Sequence, residues 1–226
     1  TANVTATGSS ARLRAQSDIT VGNVTATNVS IDTDAGSIIN AAGSSKNVTA
    51  DNLRLQAHDA IGTSARHITT NIDVLTALAS SGSMYLTEDN GATVDAVSVT
   101  ITDFNSDATT TDVTDATQSD LTTANDGNIV LVATLGDITL NDGTANAAGT
   151  AVNADGSGNI LVDAVAGSLT ANADILSGTG HITLRADDDI LLAAAVDVAT
   201  ATSGTISIDA ETGVLTMSGT ANVTAT

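Results

Sequence analysis

The chain has 226 residues, 26 acidic and 6 basic side chains, a formal net charge of −20, no Pro, Cys or Trp, one Tyr (Tyr85) and one Phe (Phe104), yet 42% hydrophobic residues. Without Cys there is no disulfide framework and no thiolate metal site, the acidic balance and scarce aromatics argue against nucleic-acid binding, and no apolar run of about 18 residues exists for membrane insertion as a helix. Ile, Leu and Val are too plentiful and regular for a disordered polyanion, while a core without aromatics suits a narrow interior, a thin tube rather than a ball.

In chain order, the first signals are strand-like. Leu13-Arg14-Ala15 followed by Asp18-Ile19 has the same pattern as Leu184-Arg185-Ala186 followed by Asp189-Ile190. Val24, Val29 and Ile31, then Leu53, Leu55 and Ala57 with Ile61, repeat the theme. The Thr/Asp/Ala stretch from Asp103 to Asn125 has the weakest period and reads as a loop or irregular coil. From Gly127 the repeat is plain: GNIVLVATLGDITL, then GNILVDAVAGSLTA from Gly158, GHITLRADDDILLA from Gly180 and GTISIDAETGVLTM from Gly204. Each unit is a Gly, an alternating strand, an Ala, a polar turn and a second short strand. Period-2 alternation puts Ile182, Leu184 and Ala186 inward and Thr183 and Arg185 outward, and Ile206, Ile208 and Ala210 inward against Ser207 and Asp209.

Gly-containing polar turns such as Asp34-Ala35-Gly36, Asp89-Asn90-Gly91 and Asn125-Asp126-Gly127 separate the strands. The 38 Thr residues favour strand over helix. Only Leu191 to Thr200 is Ala-rich enough for a helix, and its Val196-Asp197-Val198 centre reads as another strand. Unit starts spaced roughly 22 to 31 residues apart are typical of stacked coils. A β-sandwich is the alternative, but it would carry aromatics and longer strands. The fold expected is all-β, a single continuous parallel β-helix over residues 1–226 with roughly ten coils, a rod about 45–50 Å long at about 4.8 Å per coil.

Residues 1–7 and 220–226 are the same seven letters, Thr-Ala-Asn-Val-Thr-Ala-Thr. This suggests one period of a tandem array, about 219 residues long by that overlap, with the next period begun. With no initiator Met, leader or polar capping coil in this sequence, the expectation is a solenoid that continues along the polypeptide or by stacking on another copy.

The runs G-N-I-x-L, G-D-I-T-L, N-V-T-A-D-N-L-R-L-Q-A and G-S-M-Y-L-T-E resemble the β-strand-repeat regions of giant bacterial surface and secreted proteins, in the style of filamentous-haemagglutinin-like adhesins. That resemblance covers most of the chain. It implies a right-handed parallel β-helix and an extracellular or cell-surface stalk, adhesin or filament, whose partners would be copies of itself end to end and surface glycans of a host or prey cell. The G-G-x-G-x-D-x run of calcium-binding toxin repeats does not occur, so those ion sites are not carried over.

Catalytic motifs are absent: there is no H-E-x-x-H, G-x-S-x-G, P-loop or G-x-G-x-x-G. The expectation is therefore a non-enzymatic protein with no cofactor. His58, His67 and His181 lie far apart and read as surface or turn residues. Asp187-Asp188-Asp189 has two readings, a solvated turn or a Ca²⁺ site, and stacked Asp/Asn turns make Ca²⁺ a broader candidate. Asn3, Asn23, Asn28, Asn47 and Asn222 each begin N-V-[ST], a glycosylation acceptor pattern that doubles as a turn-into-strand signal. Thr-x-Thr runs raise ice binding, which irregular spacing disfavours. A carbohydrate-binding or carbohydrate-active β-helix is the alternative function, weakened by the lack of aromatics to wall a sugar groove.

Overall fold

The computed structural model describes residues 2–143 and 149–226 and is all-β. Parallel pairing links each strand to the strand one turn on, so the chain winds as a parallel β-helix. The described residues form nine turns. The first is the long strand Asn3–Ala15; the second is Ile19–Val21 with Asn23–Thr33; the third is Ile38–Asn40, Val48–Thr49 and Asn52–Ala57. The fourth joins Ile61 to Ile68–Asn71 and Val74–Ala79. From the fifth turn each has three strands: Met84–Glu88, Ala92–Val94 and Leu121–Thr123; Ile129–Ala133, Ile138–Leu140 and Thr150–Ala154; Ile160–Ala164, Leu169–Ala171 and Asp174–Ser177; Ile182–Ala186, Ile190–Leu192 and Asp197–Thr200; Ile206–Ala210, Leu215–Met217 and Asn222–Ala225.

Three sides enclose one core, and the register stacks like on like. On the first side Ile19, Ile38, Ile61, Met84, Ile129, Ile160, Ile182 and Ile206 form one column. On the second, Ala11, Val29, Leu53, Leu75, Val94, Leu140, Ala171, Leu192 and Met217 align. On the third, Leu13, Ile31, Leu55, Ala77, Leu121, Val152, Ile175, Val198 and Val223 do so. The middle members of these columns are buried, each buried Val, Leu, Ile or Met contributing about 1.5–3 kcal/mol. With turns about 4.8 Å apart, each side chain packs between its own equivalents, and a branched aliphatic fills that slot without forcing the sides apart.

The corners explain two compositional features. Gly82, Gly127, Gly158, Gly180 and Gly204 lie in one column, and a Cβ on any of the last four would come under 3.0 Å from the carbonyl oxygen of the glycine one turn before. The Gly that opens each repeat is therefore a packing requirement of the stack. Asp serves as a staple between turns where the strand ladder stops: Ser37, Ser168 and Val214 each donate their backbone N–H to the Oδ1 of Asp18, Asp137 and Asp189 on the preceding turn, all at 2.8 Å. A Glu side chain would be one methylene too long, and Glu occurs only at Glu88 and Glu211.

The stack differs from the sequence reading in three places. There are nine turns rather than about ten, because residues 95–120 leave the stack. The stretch expected to be irregular instead contains an antiparallel hairpin, Thr100–Phe104 with Thr110–Thr114, and rejoins the third side at Leu121–Thr123. Thr and Asp hide the strand period there because both hairpin faces are exposed. Finally, repeats that match in sequence occupy different sides: Leu13-Arg14-Ala15 lies on the third side and Leu184-Arg185-Ala186 on the first. Likewise Asn3–Ala6 stacks on Asn23–Ala26 of the first side, while Asn222–Ala225 stacks on Asp197–Thr200 of the third; Thr1 lies outside the described residues.

The hairpin's root runs back along the third side. The Gln118 side-chain amide donates to Leu55 O at 2.9 Å and Thr76 Oγ1 at 3.1 Å, Arg54 Nε donates to Ala116 O at 3.2 Å, and Arg12 pairs with Asp115 at 2.8 Å. Val97 and Val99 are buried at the root, whereas Phe104 near the tip is 76% exposed. Asp115→Ala should cost roughly 2–3 kcal/mol, below the full value for a buried pair because Arg12 keeps some solvent. Amide exchange should then quicken across 97–118 and stay slow in the columns; unchanged exchange in the hairpin would refute this anchoring role.

Candidate functional site

The outer surface is mostly Thr, Asp, Asn and Ser, and the first side departs from it. There the outward column is Tyr85, Val130, Leu161, Thr183 and Ser207, with Thr87, Val132, Asp163, Arg185 and Asp209 beside it. The period that buries Ile129, Ile160 and Ile182 necessarily turns these residues outward. A groove of about 430 Å³ runs over turns five to eight, lined by Tyr85, Val130, Leu161, Thr183, Arg185 and the polar ladder at its edge.

That ladder is a chain of hydrogen bonds climbing the corner. Asn159 donates from its backbone and side-chain amides to Asn128 Oδ1 at 2.8 and 2.9 Å, His181 N donates to Asn159 Oδ1 at 2.8 Å, and His181 Nδ1 lies 2.8 Å from Thr205 Oγ1. At the lower end His67 packs obliquely on Tyr85, ring centroids 5.6 Å apart, with its Nδ1 2.8 Å from Thr87 Oγ1. Burial lowers the His67 pKa, which keeps that ring neutral near pH 7. At the far edge Arg185 stands 4.0 Å from Asp163, its side chain 51% exposed. The site thus offers a small aromatic platform, an apolar strip, carboxamides and one loosely held pair of opposite charges.

His67 and His181, read from sequence as surface or turn residues, flank the groove, whereas the metal and glycosylation candidates lie elsewhere. Asp187, Asp188 and Asp189 form the corner between Ile182–Ala186 and Ile190–Leu192, and none lines the groove. Asp189 Oδ1 accepts Val214 N, Asp188 is exposed, and among the described residues no group of three His, Asp or Glu side chains is arranged to hold a metal ion. Of the glycosylation candidates, Asn3 and Asn222 are exposed and Asn23 and Asn28 half-buried. Asn47 is fully buried, donating to Val21 O at 2.9 Å and accepting Thr69 N at 2.9 Å, so in the folded chain its amide is closed to modification. His58 is exposed beside Asp59 at 2.8 Å. Thr93, Thr139, Thr170 and Thr216 do share a column, but Leu191 interrupts it.

Buried carboxyls form a second class. Glu88 faces inward with no exposure, accepting from Thr70 Oγ1, Ile72 N at 3.1 Å and Asn90 N at 3.3 Å, and burial raises its pKa. Asp120, at φ 68°, accepts from Ser119 Oγ at 2.9 Å and Gly143 N at 3.3 Å; burial, with Asp142 and Asp95 nearby, pushes its pKa up to about 6. These groups close corners of the stack and do not open onto the groove.

Sequence reasoning overlooked Tyr85, Asn128, Asn159 and Leu161 as a group, because nothing in the linear order joins residues on successive turns until the register is known. Comparison with protein-family models, with curated proteins and with solved structures gave no match in any of the three.

Proposed function

We propose that this chain is a non-enzymatic structural segment of an extracellular filament or cell-surface adhesin stalk, in which the stacked coil is itself the function and copies follow one another end to end. The observation that supports this reading is the unbroken register of the three core columns, which leaves two of their apolar members in turn nine uncovered: Met217 and Val223 are 46% and 38% exposed. They hold the column positions that Ala11 and Leu13 fill in turn one, so a further turn of the same kind would continue the core. Parallel strand edges of this sort pair readily with another turn, and a head-to-tail contact that does not close generates a filament.

Charge distribution supports the same direction of stacking. Residues 1–66 hold five acidic and five basic side chains, whereas residues 67–226 hold 21 acidic side chains and the single base Arg185. A head-to-tail array sets a neutral, Arg-bearing end against an acidic one. The acidic flanks also discourage side-by-side clumping. The resemblance of the repeats to bacterial surface-protein regions supports the extracellular setting.

Two copies in one polypeptide, joined end to end, provide the test. Solution X-ray scattering should show a rod of unchanged cross-section and doubled length. Two beads on a flexible joint would refute the stalk reading.

A further inference from the structure

We infer that the outer groove of the first side binds a neutral, extended oligosaccharide lying along the rod axis. The inference is independent of end-to-end stacking, since the groove is lined entirely by turns five to eight, with His67 of turn four behind Tyr85.

The first argument is the convergence of rare residues. The chain's one Tyr, two of its three His and the only Arg beyond residue 66 all meet on this face. The outward column of the second side, by contrast, is Thr93, Thr139, Thr170 and Thr216 with Leu191, which suffices for a solvated solenoid surface. A pyranose ring presents a flat face of C–H groups and a rim of hydroxyls. The Tyr85 ring, backed by His67, gives an apolar platform for the face. The second hydrogens of the Asn128 and Asn159 amides, His181 Nε2 and the Asp163–Arg185 pair supply donors and acceptors for the rim. An apolar floor with a few placed polar groups is the usual make-up of a small-molecule site.

The second argument is charge. Asp163 and Arg185 cancel, His67 is held neutral by burial, and the surrounding rod carries the whole −20. A polyanionic glycan would be repelled as it approached, which leaves the neutral class. The third argument is shape. Tyr85, Val130, Leu161 and Thr183 advance one turn at a time, about 4.8 Å each, close to the advance per sugar of an extended β-linked chain. A coiled α-linked chain would leave the strip after one or two rings.

Tyr85 is its own reporter, because there is no Trp to mask its fluorescence. Titrating the intact chain with cellohexaose should change that fluorescence saturably, with a dissociation constant on the order of 0.1–1 mM by both fluorescence and calorimetry. Tyr85→Thr, which installs the residue the same column already carries at Thr183, should weaken calorimetric binding at least about tenfold with the melting temperature held. Arg185→Gln should weaken it by a smaller factor. Maltohexaose should bind at least about tenfold more weakly than cellohexaose, and polygalacturonate should not bind. The absence of saturable cellohexaose binding would overturn the proposal, as would equal binding by Tyr85→Thr or tighter binding of polygalacturonate. Loss of self-association in Tyr85→Thr, with no sugar binding by the parent chain, would instead assign the face to contacts between copies. Failure here leaves the scattering of the tandem chain unaffected, so the two readings fall separately.

Discussion

Gly158→Ala should destabilise the chain by about 3 kcal/mol or more, the upper range for overpacking. The added Cβ would sit under 3.0 Å from Gly127 O, a backbone atom fixed by the ladder one turn below. The neighbouring turns cannot move apart locally, because Ile129–Ala133 and Ile160–Ala164 are in continuous parallel register across that corner. The strain should therefore act as a cut across the stack. In a quasi-one-dimensional fold each turn touches only its neighbours, so denaturation should become two-step, with turns seven to nine lost first. Ser157→Ala, one residue away at an exposed position, removes a hydroxyl contact to Asp126 but keeps the backbone N–H bond to the same carboxylate at 2.6 Å. It should change stability by no more than about 0.5 kcal/mol. Equal denaturation midpoints for the two variants would show that the glycine column does not set the stacking distance.

The second large effect concerns acidity. Asp120 has a folded-state pKa of about 6 against an ordinary 3.8. Its contribution is therefore fully present below about pH 4 and is lost as pH rises through 6, because ionisation must then occur in a buried corner. Glu88 and Asp32 shift in the same direction for the same first cause, burial. The melting temperature should fall between about pH 4 and 6 and level off above that, the reverse of a protein held by exposed ion pairs. Asp120→Asn keeps the shape, tolerates the left-handed backbone at φ 68°, and removes the charge. At pH 8 it should be more stable than the parent by about 2 kcal/mol, and at pH 4 nearly equal. A parallel fall in both proteins would assign the effect to the general repulsion of −20 and refute the role of Asp120.

The first of these expectations rests on a residue that the repeats had already marked. The glycines that open the repeats at 127, 158, 180 and 204 were visible as a period, as were the inward Ile, Leu and Ala positions. The exclusion of aromatics from the core followed from composition. Less was legible around the candidate site. The Asp triplet stood out because it is contiguous, yet its residues form a corner, with Asp189 stapling the next turn. Asn47 carried a modification pattern that is buried in the fold.

Period-2 alternation reports only inside and outside, and the three sides of this prism satisfy it equally. Composition, glycine spacing and alternation by themselves fixed a narrow, aliphatic, stacked β-coil, since each is a local property of the chain. Which side a repeat occupies is decided by register between turns. That choice sends Leu13 and Leu184 to different sides, turns residues 95–120 out as an anchored hairpin, and gathers Tyr85, Val130, Leu161 and Arg185 on one face. Only stacking brings residues 20 to 45 positions apart within a few ångströms of one another, and so only the tertiary structure could assemble a candidate binding site from them.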